Sequence, residues 1–186
     1  ANGDIIVDTG KTKDPDKRKA MAQIEISETI DKESQNKLKR VKCVYTYKKT
    51  TMAEEKDFLE KQYGGKCQIC GADPIKKHNG NNYFEAINVL STNLLNDQIL
   101  ATQYMGWNTL CLCPTCAAKY KVCSKTLTNL IDQVINTKVN KNDDSMIKIN
   151  FILDNKKTTI SYKSKHFILL QAAFEYFFKQ ENKEQN

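Results

Sequence analysis

The sequence lacks the features that mark membrane and secreted proteins. It contains no run of 18 apolar residues, so the sequence predicts no membrane-spanning helix. Its first residues, Ala1-Asn2-Gly3-Asp4, form no secretory signal, and the missing initiator methionine favours a processed chain or a segment of something longer. We therefore expect an intracellular, cytoplasmic protein.

Arginine and histidine are also scarce. Arg18 and Arg40 are the only arginines, so lysine carries almost all of the formal charge of +7. A basic balance is compatible with binding to nucleic-acid phosphates, but a lysine- and asparagine-rich composition is equally compatible with genomic base bias. His78 and His166 stand alone in the sequence, and we expect lone histidines of this kind to be surface or capping residues.

Cysteine, by contrast, is abundant. Seven cysteines are an odd number, which argues against a fully paired disulfide framework. Residues 67–70 and 113–116 both read Cys-x-x-Cys, the spacing at which a tight turn directs two sulfurs at one ion. Two disulfides, or four unrelated buried thiols, are the alternative. We predict a structural zinc ion bound by Cys67, Cys70, Cys113 and Cys116.

The other cysteines and one glycine complete this reading. Gly71 follows the first pair and supports its turn. Cys111 lies two residues before the second pair and is an alternative ligand. Cys43 and Cys123 have no partner at matching spacing, so we predict that they are small buried residues.

The first 40 residues are charged and weakly patterned. Ala20, Met21 and Ile24 have helical spacing, whereas Ile24 and Ile26 also fit the alternation of a strand. The choice stays open, and we interpret residues 1–40 as an accessory arm or the tail of a preceding region.

From residue 41 the patterns become clearer. Residues 41–47 predict a strand, and the capping box at 51–54 predicts the start of a helix that Gly64-Gly65 ends. Asn79-Gly80 predicts a turn, and residues 83–89 predict another strand.

The second cysteine pair lies between further predicted elements. Residues 91–106 form a polar insertion that we expect to be partly helical, and a short helix should begin near Pro114. Ser124 is predicted to cap the next helix, whose apolar stripe consists of Leu127, Leu130, Ile131, Val134 and Ile135.

The C-terminal part predicts a hairpin followed by a helix. Residues 147–153 alternate apolar and polar side chains, 154–157 form a turn, and 158–162 return as the second strand. A core-packing helix is expected over 165–178. The element order predicts an α+β fold.

The order of these motifs resembles an HNH endonuclease domain, a ββα-metal or His-Me finger nuclease of the subgroup framed by a four-cysteine zinc. The likeness rests on a helix ending Gly-Gly-Lys, then Cys-Gln-Ile-Cys-Gly, the Asn-Gly turn, Tyr-Phe-Glu-Ala and Leu-Cys-Pro-Thr-Cys-Ala-Ala-Lys-Tyr. It covers residues 52–123, and 146–178 are similar to the tail of some prokaryotic members. The resemblance implies a treble-clef-like zinc domain over 41–140, with an added C-terminal β-hairpin and helix over 141–186 packed on it.

The resemblance also implies that the catalytic chemistry is lost. In the family, the strand after the turn carries a metal ligand and then a general-base histidine, and these positions are Ile87 and Asn88 here. The asparagine that orients the base corresponds to Asn108, and a final histidine ligand corresponds to Ala117. Because Ile87 and Ala117 cannot coordinate a metal and the Asn88 amide is no base, we expect a pseudo-nuclease. Glu85 keeps its family position, but one carboxylate is a weak Mg²⁺ site.

Three functions follow from this reading. The first is an inactive, nucleic-acid-binding domain, with DNA as the expected ligand, or a scaffold in a bacterial nucleic-acid-processing or antiviral (antiphage) defence complex. The second is a protein–protein docking module of a larger complex. The third is a divergent active endonuclease built around Glu85, His78 and Asn108. Phosphate contacts in the first function are expected from the following lysines, for which a merely solvated face is the alternative: Lys42, Lys48, Lys49, Lys119, Lys121 and Lys125.

Overall fold

The computed structural model describes residues 14–35, 44–91, 95–127, 129–140 and 145–178, without the side chains of 33–35 and 44–52. The helices in these ranges are α1 (Pro15–Gln35), α2 (Val44–Tyr63), α3 (Asp97–Ala101), α4 (Pro114–Val122), α5 (Leu130–Asn136) and α6 (Ser164–Phe178). The strands are β1 (Ile75–Lys76), β2 (Asn82–Tyr83), β3 (Glu85–Asn88), β4 (Thr109–Leu112), β5 (Lys125–Thr126), β6 (Ile147–Leu153) and β7 (Lys156–Tyr162).

The strands form small antiparallel sheets, which confirms the predicted α+β class. β1 pairs with β2, β3 pairs with β4, and β6 lies between β5 and β7. Helix α6 packs against α1 and α5 and contributes most of its length to the main hydrophobic core. A smaller apolar cluster joins α2 to the sheet of β3 and β4 through Leu59, Tyr63, Phe84 and Cys111.

Helix α1 resolves the choice between helix and strand in the N-terminal segment. Ala22 and Ile26 are one helical turn apart and fully buried, whereas Ile24 between them is 58% exposed. A strand would have placed Ile24 and Ile26 on one face. The helix lies against α6, where Lys19 Nζ is 3.2 Å from a carboxylate oxygen of Glu175.

The start of α2 corrects two predictions. Residues 44–47 are helical rather than extended, and the predicted cap at residues 51–54 lies inside the helix; residues 41–43 lie outside the described ranges. Strand propensity there is worth only tenths of a kcal/mol per residue, so extending an existing helix, which adds one hydrogen bond per residue, overrides it. The predicted end is confirmed, since Gly64 adopts φ +58° and donates its amide to Glu60.

The central predictions are mostly confirmed. Gly80 adopts φ +81° in the predicted turn, and α4 begins at Pro114. The insertion holds α3 and a 3₁₀ turn at Gln103–Met105. The strand predicted at 83–89 is divided, because β2 ends at Tyr83 and pairs with β1, whereas β3 pairs with β4.

The predicted cap at Ser124 is wrong. Residues 125–126 form β5 instead, and the Ser124 carbonyl accepts a hydrogen bond from Asp154. The backbone hydrogen bonds of residues 125–126 therefore go to β6 and are not available to begin a helix. Helix α5 begins six residues after Ser124, behind Asn129 at φ 60°, although Leu130 and Val134 of the predicted stripe are buried as expected.

The C-terminal hairpin and helix are confirmed. β6 and β7 pair along their whole lengths, and Asp154 and Asn155 turn the chain with φ of 53° and 58°. Residues 156–157 belong to β7 rather than to the turn. Helix α6 spans the predicted residues and buries Phe174, whose ring centroid lies 6.2 Å from that of Trp107.

Candidate metal centre and basic surface

Four cysteine side chains converge beside the end of α2. Their sulfur atoms all lie within 4.8 Å of one another, and Cys70 Sγ is 3.7 Å from Cys113 Sγ. No disulfide occurs among the cysteines that the structure describes. The members of this cluster are the four predicted from the spacing: Cys67, Cys70, Cys113 and Cys116.

The distances fit a metal ion better than they fit disulfides. A disulfide requires about 2.05 Å between sulfurs, well short of the separation of Cys70 and Cys113 Sγ. Sulfurs 2.3 Å from a tetrahedral ion are about 3.8 Å apart, close to the 3.7 Å observed. The cluster is therefore compatible with a bound metal ion. Cys111, the alternative ligand, lies outside it and is fully buried.

Local backbone geometry positions the ligands. Gly71, at φ +73°, donates its amide to the Cys67 carbonyl, which closes the first turn. Cys113 is the N-cap of α4, and the amide nitrogen of Cys116 lies 3.4 Å from Cys113 Sγ. Burial raises the pKa of the Cys67 thiol, but nearby backbone amides, including that of Cys70, outweigh burial and lower it overall. Burial raises the pKa of the Cys70 and Cys116 thiols instead, so the shift towards the thiolate that metal binding requires does not extend to the whole cluster.

Gln68 links the first turn to two strands, a role that the sequence analysis missed. Its backbone amide donates to the Cys111 carbonyl at 2.9 Å, and its Oε1 accepts from the Cys111 amide at 2.8 Å. On the other side its carbonyl accepts from the Ser161 amide, and its Nε2 donates to the Ser161 carbonyl at 3.1 Å. No spacing or composition signal distinguishes this glutamine in the sequence.

The positions predicted from the resemblance to the HNH motif lie on the sheet of β3 and β4, next to it and on α4. Ile87 and Ala117 are buried in the hydrophobic core. Asn88 lies opposite Thr109 in the ladder. Asn108 is fully buried, and its amide group donates to the Leu90 carbonyl and accepts from the Leu90 amide. Asn108 therefore fixes the backbone after β3 and has no exposed amide for a ligand.

The two histidines differ sharply in environment. His78 is exposed near the tip of the β1–β2 hairpin, as expected. The same expectation is wrong for His166, which is fully buried between α2 and the core. The Tyr63 hydroxyl accepts a hydrogen bond from the Lys163 amide at 3.2 Å and is hydrogen-bonded to His166 Nδ1 at 2.8 Å. Nε2 of His166 has no hydrogen-bond partner among the described atoms.

Burial also shifts the pKa of two side chains, lowering one and raising the other. Desolvation lowers the pKa of His166 to about 3, although backbone contacts with Gly106 and Trp107 oppose this. Desolvation raises the pKa of Glu55, which is 5% exposed on α2, to about 7, against the effect of Thr109. Both shifts favour the neutral form of the side chain.

The predicted phosphate-binding lysines are only partly described. Lys119 and Lys121 are exposed on α4, and Lys121 Nζ lies 3.3 Å from Glu85. Lys125 Nζ donates to the Tyr120 carbonyl and lies 4.6 Å from the centroid of the Tyr120 ring, so the ammonium group is held against the protein. The other three fall outside the described chain or side chains: Lys42, Lys48 and Lys49.

The remaining predictions concern isolated cysteines. Cys43 lies outside the described residues. Cys123 is only partly buried, because it follows the last turn of α4 at the surface, so the expectation of a buried residue is wrong there.

A scan of protein-family models and searches of the curated proteins and of the solved structures found no match to this chain. Among the described residues, no helix combines the length and the apolar character that crossing a bilayer requires.

Proposed function

We propose that this chain is a zinc-stabilised domain that binds nucleic acid without cleaving it. The observation that carries the proposal is the four-cysteine cluster beside a surface with exposed lysines on α4. The resemblance to HNH nucleases supplies the expected ligand, DNA, and the expected setting, a cytoplasmic nucleic-acid-processing or antiphage defence complex.

The ligand set supports zinc in a structural role. Four thiolates fill a tetrahedral coordination sphere, which leaves no open position for water or substrate. The cluster also joins separate parts of the fold, since Cys67 and Cys70 follow α2 whereas Cys113 and Cys116 begin α4. Zinc bound there would contribute directly to the free energy of folding.

The surroundings of the HNH-like positions support the absence of cleavage. Phosphodiester hydrolysis by that mechanism needs a divalent ion and a base within reach of the substrate. Ile87 and Ala117 offer no donor atom and pack into the core, and the Asn108 amide is occupied by Leu90. The third hypothesis, an active site around Glu85, His78 and Asn108, would therefore have to operate without an exposed Asn108.

A docking module is the second candidate. Val122 is 82% exposed at the end of α4, and Met21 and Ile24 are 43% and 58% exposed on α1. Met21 and Ile24 are three residues apart on α1 and therefore neighbours on its surface, where adjacent exposed apolar side chains suit a protein partner. A complex formed through them would depend little on salt, whereas phosphate binding should weaken steeply as salt rises.

A gel titration distinguishes these functions. Labelled duplex DNA and one of its strands alone are each titrated with zinc-loaded protein in Mg²⁺ or Mn²⁺, and the products are run on native and denaturing gels. A shifted band with intact strands is the expected result. Cleaved strands would contradict the proposal and direct attention to Glu85 and His78. Neither shift nor cleavage would favour the docking module.

A further inference from the structure

Three structural elements converge on the carboxylate of Glu85. The Tyr83 hydroxyl donates to Glu85 Oε1 at 2.7 Å, and Lys121 Nζ of α4 lies 3.3 Å from Oε2. These two hydrogen bonds lower the pKa of Glu85, and the charge of Lys56 on α2 adds to the effect. The carboxylate thus marks a point on the surface where a tyrosine hydroxyl and one lysine already hold an anion, with the charge of a second lysine acting on it.

The β1–β2 hairpin extends this surface. Lys77 Nζ lies 5.8 Å from the centroid of the Tyr83 ring, and Tyr83 is 37% exposed. The hairpin forms a shallow open concavity lined by Ile75, Lys76, Lys77, His78, Asn79 and Tyr83. An exposed aromatic ring beside several lysines is the combination found where proteins bind single-stranded nucleic acid.

We propose that this surface, formed by Lys56, Lys77, Tyr83, Glu85 and Lys121, binds single-stranded nucleic acid. The lysines contact the phosphates, and the Tyr83 ring stacks on a base. A single strand fits better than a duplex, since only an unpaired base presents its face to an exposed ring. Glu85 opposes binding, because its carboxylate already pairs with Lys121, which a phosphate would otherwise contact. This inference rests on the proposed function and assigns its site and ligand form.

The test compares binding of a labelled oligothymidine and a duplex of equal length to the zinc-loaded full chain, by fluorescence anisotropy over a range of salt. Tyr83→Leu keeps an apolar side chain but removes the ring, and should weaken single-strand binding about tenfold. Combined Lys77→Gln and Lys121→Gln substitutions should reduce the slope of log affinity against log salt by about 1.4. Glu85→Gln should strengthen binding, whereas a metal-ligand role for Glu85 would predict a loss.

Matched charge removal elsewhere provides the control. Lys148 and Lys157 are exposed on β6 and β7, and replacing both with glutamine changes the net charge equally. This control should keep its affinity within about twofold, because neither lysine belongs to the proposed surface and salt screens exposed charges. Melting temperatures of all variants exclude unfolding as the cause.

The outcomes separate this site from the general function. Equal losses in the two double variants, or no effect of Tyr83→Leu, would overturn the site while leaving nucleic-acid binding intact. Tighter binding of the duplex would overturn the single-strand assignment. If neither nucleic acid binds, both the site and the proposed function fail.

Discussion

Gln68 and Cys111 exchange two hydrogen bonds, one through the backbone amide of Gln68 and one through its side-chain oxygen. Because Gln68 is also hydrogen-bonded to Ser161, the turn that carries Cys67 and Cys70 is connected to both β4 and β7. β4 leads directly into Cys113. Protein hydrogen bonds therefore contribute to holding the two cysteine pairs near each other.

Replacing Gln68 with leucine should destabilise the fold. The buried Cys111 amide and the partly buried Ser161 carbonyl would lose their side-chain partners. Leaving the buried amide unpaired costs about 1–3 kcal/mol, and the carbonyl adds less because water can reach it. Urea unfolding of the metal-loaded protein measures the loss. Gln133 provides the control, since its side chain makes the same pair of bonds to Asn150 at an exposed site. Gln133→Leu should cost far less because water replaces those bonds, and equal losses would contradict a special role for Gln68.

Replacing Cys67 with serine should remove stoichiometric zinc and much of the folded structure. The reason is that metal binding at a four-thiolate site is part of the folding free energy. Metal content by mass spectrometry and secondary structure by circular dichroism measure both effects. Cys123→Ser is the matched control, because Cys123 lies outside the cluster, and it should retain zinc. A Cys67→Ser protein with full zinc and full stability would refute the assignment.

His166 should make the fold less stable in mild acid. Its folded-state pKa of about 3 lies below the usual 6.5, so its stabilising contribution is complete above pH 6.5 and is lost as pH falls toward 3. The slope is about 1.4 kcal/mol per pH unit within that window. His166→Asn, which keeps an acceptor near Tyr63 but does not titrate, should lose this slope relative to the unmodified chain.

The comparison between variants at each pH cancels any common effect of acid on the metal site. His78→Asn changes an exposed histidine and should leave the slope as it was. If His166→Asn and the unmodified chain lose stability in parallel between pH 6.5 and 5, His166 is not the responsible group.

Glu55 should act in the opposite sense. Its folded-state pKa of about 7 exceeds the ordinary 4.5, so its contribution is complete below pH 4.5 and is lost as pH rises through 7. Glu55→Gln should therefore gain stability relative to the unmodified chain between pH 5 and 7, by about 1.4 kcal/mol per pH unit. Chemical denaturation across this range measures the difference. A difference that does not change with pH would mean that Glu55 is ionised in the fold at pH 5.

Local patterns in the sequence were sufficient for the parts of this protein whose geometry is set within a few residues. Two residues between thiols fix a turn, so the spacing predicted the four cysteines as two matching pairs. The two pairs meet across more than 40 residues of chain, and that contact depends on the tertiary structure. Alternation in 147–153 predicted β6, because a strand with one buried face requires that period. Gly64 ended α2 for an equally local reason.

Tertiary contacts decided the rest. Residues 44–47 have the composition of a strand but continue α2, and residues 125–126 pair with β6 instead of extending α5. His166 and Gln68 carry no local sign of burial, because their partners are Tyr63, Cys111 and Ser161, all 43 to 103 positions away. The sequence by itself determined the two cysteine pairs and the regular hairpin, since both depend on spacing. Only the folded chain determined which polar groups lie in the core, since that depends on partners brought together from distant positions.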